Sequence, residues 1–140
     1  ARWTYDDNED LMTELLRELH TIKGTSRMLG FLTLEKISHG LEDVLKATAE
    51  RRTEFNDIIL NITLLTLDMI DTCLMKIKTD ENDDCPVDNF LKAYSSILKG
   101  GTFDRKHLQD EIDGISQKKS NVQEQENSVD DVQSIQTGKN

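Results

Sequence analysis

The sequence predicts an all-α protein, an up-and-down antiparallel four-helix bundle with a possible extra short helix at its C-terminal end. Leucine and isoleucine recur every three or four residues through most of the chain, which is the spacing of one face of an α-helix. The chain has one proline and no alternating run bounded by hairpin turns, so strands have little support. The segments between the apolar stripes are short, and short connections favour antiparallel neighbours.

Two helices are predicted on either side of Gly30. Asp10 can cap a first helix that runs to about Met28, because short polar side chains accept hydrogen bonds from the free N–H groups of a first turn. Thr33 can cap the second helix in the same way. The apolar stripe of that helix extends from Leu34 to Leu45.

Three further helices follow. Thr53 opens the third and longest, which is apolar over more than half of its circumference and is therefore expected to be the most buried. The acidic stretch "TDENDDCP" ends it, and Pro86 suits the first turn of a fourth helix, Val87 to about Lys99. A shorter fifth helix is predicted from Asp104 through Ile115.

The chain divides into a helical domain over residues 1–116 and a tail over residues 117–140. The tail is rich in Gln, Asn, Ser and charge, and it has too few apolar residues to offset the entropy lost on ordering. It is predicted to be a disordered linker or tail.

The composition bears on partners and location. A net charge of -10 argues against nucleic acid and anionic membranes, which bind clustered Lys and Arg, so a protein partner is expected. The longest uncharged apolar run, residues 58–67, is too short to span a bilayer, and no secretory signal is evident; the prediction is a cytoplasmic protein without membrane insertion.

Cys73 is predicted in the core, and Cys85, in a polar turn, at the surface.

A cluster of polar side chains is predicted where the first two helices face each other. Folding them into a hairpin about Gly30 puts residue 20 level with roughly residue 40. His20, Lys23 and Gly24 then lie beside His39 and Glu42, since residues three and four apart share a helical face. Gly24 costs about 1 kcal/mol relative to Ala inside a helix, so an open approach to the imidazole is a reason for its presence.

This set of groups fits nucleophilic attack by an imidazole on a phosphoryl group. Glu42 can bond the protonated ring nitrogen of His20 and leave the other nitrogen free, while Lys23 neutralises phosphoryl oxygens and His39 steadies the network. Arg17 and Arg27 extend the basic strip toward a partner.

The same residues also allow interpretations other than phosphoryl transfer. Each basic residue taken singly is more often part of a solvated face, and His107 is interpreted as a surface or capping residue. A metal site built from His20, His39 and Glu42 is an alternative, although a di-iron bundle needs further Glu ligands that the sequence does not offer. A purely structural helical adaptor is another.

The segment "HTIKGTSRMLG" resembles the HxxKGxxxxxG signature of histidine phosphotransfer (HPt) domains. "HGLE", about twenty residues later, resembles the second-helix motif of the N-terminal phosphotransfer domain of CheA-type chemotaxis histidine kinases. The resemblance covers roughly residues 10–99.

The resemblance implies that His20 is phosphorylated through Nε2, with Glu42 on Nδ1 and Lys23 and His39 completing the network. It implies a kinase ATP-binding domain as donor and a CheY-like receiver domain of a response regulator as acceptor. It also implies that the domain is a phosphoacceptor with no ATP site or cofactor of its own, within a parent protein that is a histidine kinase.

One feature departs from the family. Its members have a further helix before the histidine-bearing one, whereas here only "ARWTYDDNED" precedes it. The side left open could be covered by the fourth helix or by a second copy, or the chain could be a fragment of a longer protein, which is the favoured interpretation.

Overall fold

The computed structural model describes residues 5–50, 56–80 and 82–115 of the chain. This part is all-helical, as predicted. Its helices are α1 (Tyr5–Leu29), α2 (Leu32–Ala49), α3 (Asp57–Asp80), α4 (Asp88–Leu98) and α5 (residues 105–115). The predicted tail, residues 117–140, and the predicted start of the third helix at Thr53 lie outside the described residues.

The α1–α2 hairpin turns at the predicted glycine. Gly30 has a φ of 82°, a left-handed conformation that glycine adopts without steric cost. The N–H of Phe31 donates to the carbonyl of Ser26 over 2.9 Å and so closes the end of α1. The prediction that Asp10 caps α1 is wrong, because the helix already begins at Tyr5 and passes through that position.

The start of α2 is stabilised from a distant part of the chain. Thr33 was expected to cap this helix, but the cap position is Phe31, which makes no side-chain hydrogen bond to the first turn. Instead, the Leu34 N–H donates to Oδ2 of the buried Asp83 over 2.8 Å. The segment between α3 and α4 therefore holds the beginning of α2, which carries Glu42.

The central helix is α2, which packs against α1, α3 and α4. Nine of its 18 residues are buried, against eight of 24 in α3, so the prediction that the third helix is the most buried is wrong. The central position fixes the backbone of α2 on three sides.

A glycine on α2 lets α4 approach closely. A Cβ added at Gly40 would lie 2.2 Å from Cδ2 of Tyr94, so the ring occupies the space that a side chain would fill. The Tyr94 hydroxyl lies 2.8 Å from the hydroxyl of Thr66 on α3. Burial raises the pKa of the Tyr94 hydroxyl, despite the opposing effect of the Thr66 hydrogen bond. One aromatic side chain thus joins three helices.

The two cysteines lie in the same apolar cluster. Cys73 is buried in α3, as predicted. The prediction of a surface thiol at Cys85 is wrong, because only 6% of that residue is exposed. The neighbouring Cys85 thiol and burial together raise the pKa of the Cys73 thiol. The polar residues next to Cys85 in the sequence do not indicate that its own side chain points inward.

The other described helices leave one face of α3 uncovered. It carries exposed apolar side chains, which are Leu60, Leu64, Leu67, Leu74 and Met75. Because α4 packs against α2 and leaves these residues exposed, the fourth helix does not cover that side.

By length and composition alone, α3 is also apolar enough to cross a membrane. Of the apolar window that meets this test, 44% is buried inside the fold.

Candidate phosphoacceptor site

The α1–α2 hairpin brings an exposed imidazole against a buried carboxylate. His20 lies midway along α1 with 72% of its side chain exposed, whereas 2% of the Glu42 side chain is exposed. Nδ1 of His20 lies 3.2 Å from Oε2 of Glu42. The two residues are 22 positions apart and meet because the antiparallel helices rise equally from Gly30.

Two lysines flank the same carboxylate. Nζ of Lys23 donates to Oε1 of Glu42 over 2.7 Å, and Nζ of Lys46 lies 3.9 Å from Oε2. Lys23 was predicted in this cluster from its spacing to His20. Lys46 was missed, although its position four residues after Glu42 on α2 is the spacing that brings helical side chains together.

The charges around Glu42 keep it ionised. Burial opposes ionisation, but the hydrogen bonds from Lys23 and His20 and the charges of Lys23 and Lys46 outweigh it and lower the pKa of the Glu42 carboxyl. An ionised carboxylate can only accept hydrogen bonds, so a hydrogen bond between the two groups needs the tautomer of His20 that carries its proton on Nδ1. In that tautomer Nε2 carries the free lone pair, and it has no hydrogen-bond partner among the described residues.

Gly24 leaves open space one turn from the imidazole. A Cβ added there would meet no atom within 4 Å beyond its own helix backbone and chain neighbours. Its presence in a helix interior is therefore not required by packing inside the chain, in contrast to Gly40.

The outer basic residues are paired within the chain. Arg17 binds Glu14 on the same helix. Nε of Arg27 lies 2.9 Å from Oε2 of Glu35, which ties the end of α1 to the first turn of α2. Their charges are thus partly neutralised near the proposed site.

His39 lies beside the site without joining the His20 contact. Its Nε2 is 3.5 Å from Oδ2 of Asp43, and the structure gives it no hydrogen bond to His20 or Glu42. Ligand atoms of His39, Glu42 and Asp43 all lie within 4.8 Å of one another, so they form a geometric candidate for a metal site. The Lys23 ammonium on Glu42 opposes a second cation at that carboxylate.

A family model, the Hpt domain, matches residues 2–74, which is more than half of the chain. The chain belongs to the Hpt domain family. The match includes His20 and Glu42 together with both helices that bring them into contact. Membership of this family places the chain in two-component phosphorelay signalling.

Several relatives are similar over part of the chain. A "Sensor histidine kinase CheAY" of Helicobacter pylori is 31% identical over 53% of this chain and 9% of its own length. A "Chemotaxis protein CheA" of Borreliella burgdorferi is 33% identical over 46% of this chain and 7% of its own length. A "Gliding motility regulatory protein" of Myxococcus xanthus is 37% identical over 41% of this chain and 7% of its own length. No solved structure matches the chain significantly.

The matched segments are thus a small part of these relatives. A further "Chemotaxis protein CheA", from Halobacterium salinarum, is 26% identical over 76% of this chain and 14% of its own length. These relatives match the chain through their Hpt region.

Proposed function

We propose that this chain relays a phosphoryl group through His20 in a two-component pathway. The observation that carries the proposal is the contact of His20 Nδ1 with the buried Glu42 carboxylate, because it leaves Nε2 as the nucleophile. Lys23 holds the other oxygen of that carboxylate and fixes its orientation. His39 and its partner Asp43 supply polar surroundings on the next turn.

The first transfer forms a bond between Nε2 and the γ-phosphorus of ATP held by a kinase ATP-binding domain. The bond from that phosphorus to its bridging oxygen breaks, and ADP leaves with the electron pair. Nδ1 keeps its proton, so the imidazole ring becomes positively charged. Glu42 stabilises this charge through the hydrogen bond that it already accepts.

The second transfer releases the phosphoryl group to an aspartate of a response-regulator receiver domain. A carboxylate oxygen attacks the phosphorus, the Nε2–P bond breaks, and its electron pair returns to the ring. The high exposure of His20 and the open space beside Gly24 suit the approach of a protein carrying that aspartate. Arg17 and Arg27 border the same surface.

The partners are proposed by analogy with the relatives named above. Their names describe a sensor histidine kinase and chemotaxis proteins. On that basis we place this chain as the phosphotransfer module of a CheA-like kinase, with a CheY-like receiver domain as acceptor. The module itself is the phosphoacceptor, and the ATP site belongs to the kinase domain.

Labelling by a cognate kinase domain and radiolabelled ATP tests the acceptor. The wild-type chain should gain acid-labile, base-stable label. His20→Gln should abolish the label. His107→Gln is the control: it changes an exposed histidine on a different helix, α5, and should keep the label. Label that survives His20→Gln would exclude His20 as the acceptor.

Glu42→Gln tests the role of the carboxylate in the same assay. The substitution keeps the shape of the side chain and removes the charge that stabilises the ring. Transfer should therefore slow by about 10- to 100-fold, the loss that follows when the carboxylate partner of a metal-bound histidine is removed. An unchanged rate in a folded variant would remove Glu42 from the mechanism.

A further inference from the structure

Lys46 is a charged residue at the site for which neither the motif nor the transfer scheme gives a role. Its Nζ lies 3.9 Å from Oε2 of Glu42, the same oxygen that His20 Nδ1 approaches to 3.2 Å. That separation exceeds a hydrogen bond, so its action on the carboxylate is electrostatic. Half of the Lys46 side chain is exposed.

The two lysines at Glu42 lie at different oxygens of its carboxylate. Lys23 binds Oε1 and leaves Oε2 free for the imidazole. Lys46 faces Oε2, where its positive charge competes directly with the positive charge that the imidazole gains on phosphorylation. Asp43 is the remaining charged neighbour, and its Oδ2 lies 3.5 Å from Nε2 of His39.

We propose that Lys46 is a positioning residue that weakens the hold of Glu42 on the phosphorylated imidazole and so favours onward transfer from His20. The inference rests on the proposed phosphorelay function and names a control on that same site. Lys46 itself makes and breaks no bond. It shifts the equilibrium of the two transfers described above, because its positive charge disfavours the charged, phosphorylated ring.

The test has one readout that does not require phosphorylation. Ring ¹⁵N spectra of the unmodified chain report the share of His20 that carries its proton on Nδ1. Lys46→Met should increase this share, because an Oε2 without the neighbouring ammonium accepts the Nδ1 proton more strongly. Lys46→Arg should restore the wild-type spectrum, and Lys36→Met, an equal loss of charge at an exposed position of α2, should leave it unchanged.

The second readout is the equilibrium between ATP and phosphorylated His20 in the presence of the kinase domain and ADP. Lys46→Met should raise the phosphorylated fraction, with an equilibrium constant about two- to fivefold higher, the size expected for one half-exposed charge. Lys46→Arg should reverse this change.

The outcomes separate the two proposals. An unchanged ring spectrum in Lys46→Met, or a change matched by Lys36→Met, overturns the role of Lys46. A lower phosphorylated fraction also overturns it, because Lys46 would then stabilise the phosphoryl group itself. A shifted ring spectrum in a chain that accepts no label supports the action of Lys46 on Glu42 and refutes the phosphorelay function instead.

Discussion

At the scale of single residues, Glu42 decides how the site behaves. Its side chain is almost fully buried, yet it remains ionised because Lys23, His20 and Lys46 surround it. Burying a carboxylate without such partners would be strongly unfavourable. The contacts of Glu42 with His20 and Lys23 therefore serve both the site and the burial of the carboxylate.

The stability of the chain should depend on the ionisation of Glu42 at acidic pH. Because the folded-state pKa is lowered, the stabilisation by the ionised carboxylate is complete above its ordinary value of 4.5 and is lost as the pH falls through the lower folded-state value. Urea unfolding of the wild type and Glu42→Gln across this range checks the sign. The difference in unfolding free energy between the two proteins should shrink as the pH falls. A constant difference would contradict the prediction that ionised Glu42 stabilises the fold.

Glu111 on α5 provides a control of opposite sign. Burial raises the pKa of the Glu111 carboxyl, and one of its oxygens has no hydrogen-bond partner. A raised folded-state pKa means that ionisation at neutral pH costs stability. Glu111→Gln should therefore be more stable than the wild type at pH 7, and its advantage should disappear as the pH falls below 4.5.

Sequence spacing could predict only part of the site. His20 and Lys23 share a helical face, and the position of Gly30 sets which residues of α2 they meet. The roles of the other polar residues depend on side-chain directions that spacing does not determine. His39, for example, is three residues from Glu42, but its ring pairs with Asp43.

At the scale of the helices, the glycines at positions 24 and 40 are present for different reasons. Gly24 faces open space on α1, whereas Gly40 lets α2 approach the Tyr94 ring on α4. A side chain would therefore fit at position 24, whereas at position 40 it would overlap the Tyr94 ring.

Alanine at each glycine should therefore have opposite effects on stability. Gly24→Ala should raise the unfolding free energy by about 1 kcal/mol through better helix propensity, while slowing phosphotransfer. Gly40→Ala should lower it by about 1–3 kcal/mol, because the new Cβ overlaps the ring. Thermal and urea unfolding measure both. Gly24→Ala that transfers at the wild-type rate would favour a purely structural adaptor.

The helices themselves were largely predictable, and their caps were not. Apolar periodicity and Gly30 were sufficient to place α1 and α2, since both signals are local. The partner for the first turn of α2 comes from Asp83, 49 residues after Leu34. A contact between such distant residues depends on the packing of α3, so no local pattern around Thr33 could indicate it.

At the scale of the whole molecule, α2 is central among the described helices, and these helices cover α3 on one side only. The length and apolar content of α3 made it the expected centre, yet α2 is buried against three other helices. Periodicity shows which residues of a helix are apolar, but not how many helices pack around it. For the same reason, the sequence could not show that one row of leucines on α3 is left exposed.

Adjacent leucines on α3 offer a matched test of this arrangement. Leu65 is 4% exposed and Leu64 is 53% exposed. Leu65→Ala should cost about 2–5 kcal/mol through lost burial and a cavity, whereas Leu64→Ala should change stability by less than about 0.5 kcal/mol. Equal losses would mean that another helix or a second copy covers this face, and a dependence of the loss on protein concentration would identify the second copy.

The nitrogen that carries the phosphoryl group tests the central claim most directly. The claim is that Glu42 occupies Nδ1 of His20 and leaves Nε2 as the nucleophile. After phosphorylation of ¹⁵N-histidine-labelled chain, phosphorus–nitrogen couplings in the NMR spectrum identify the bonded nitrogen. Coupling to Nε2 of His20 is the predicted result, and coupling to Nδ1 would contradict the account.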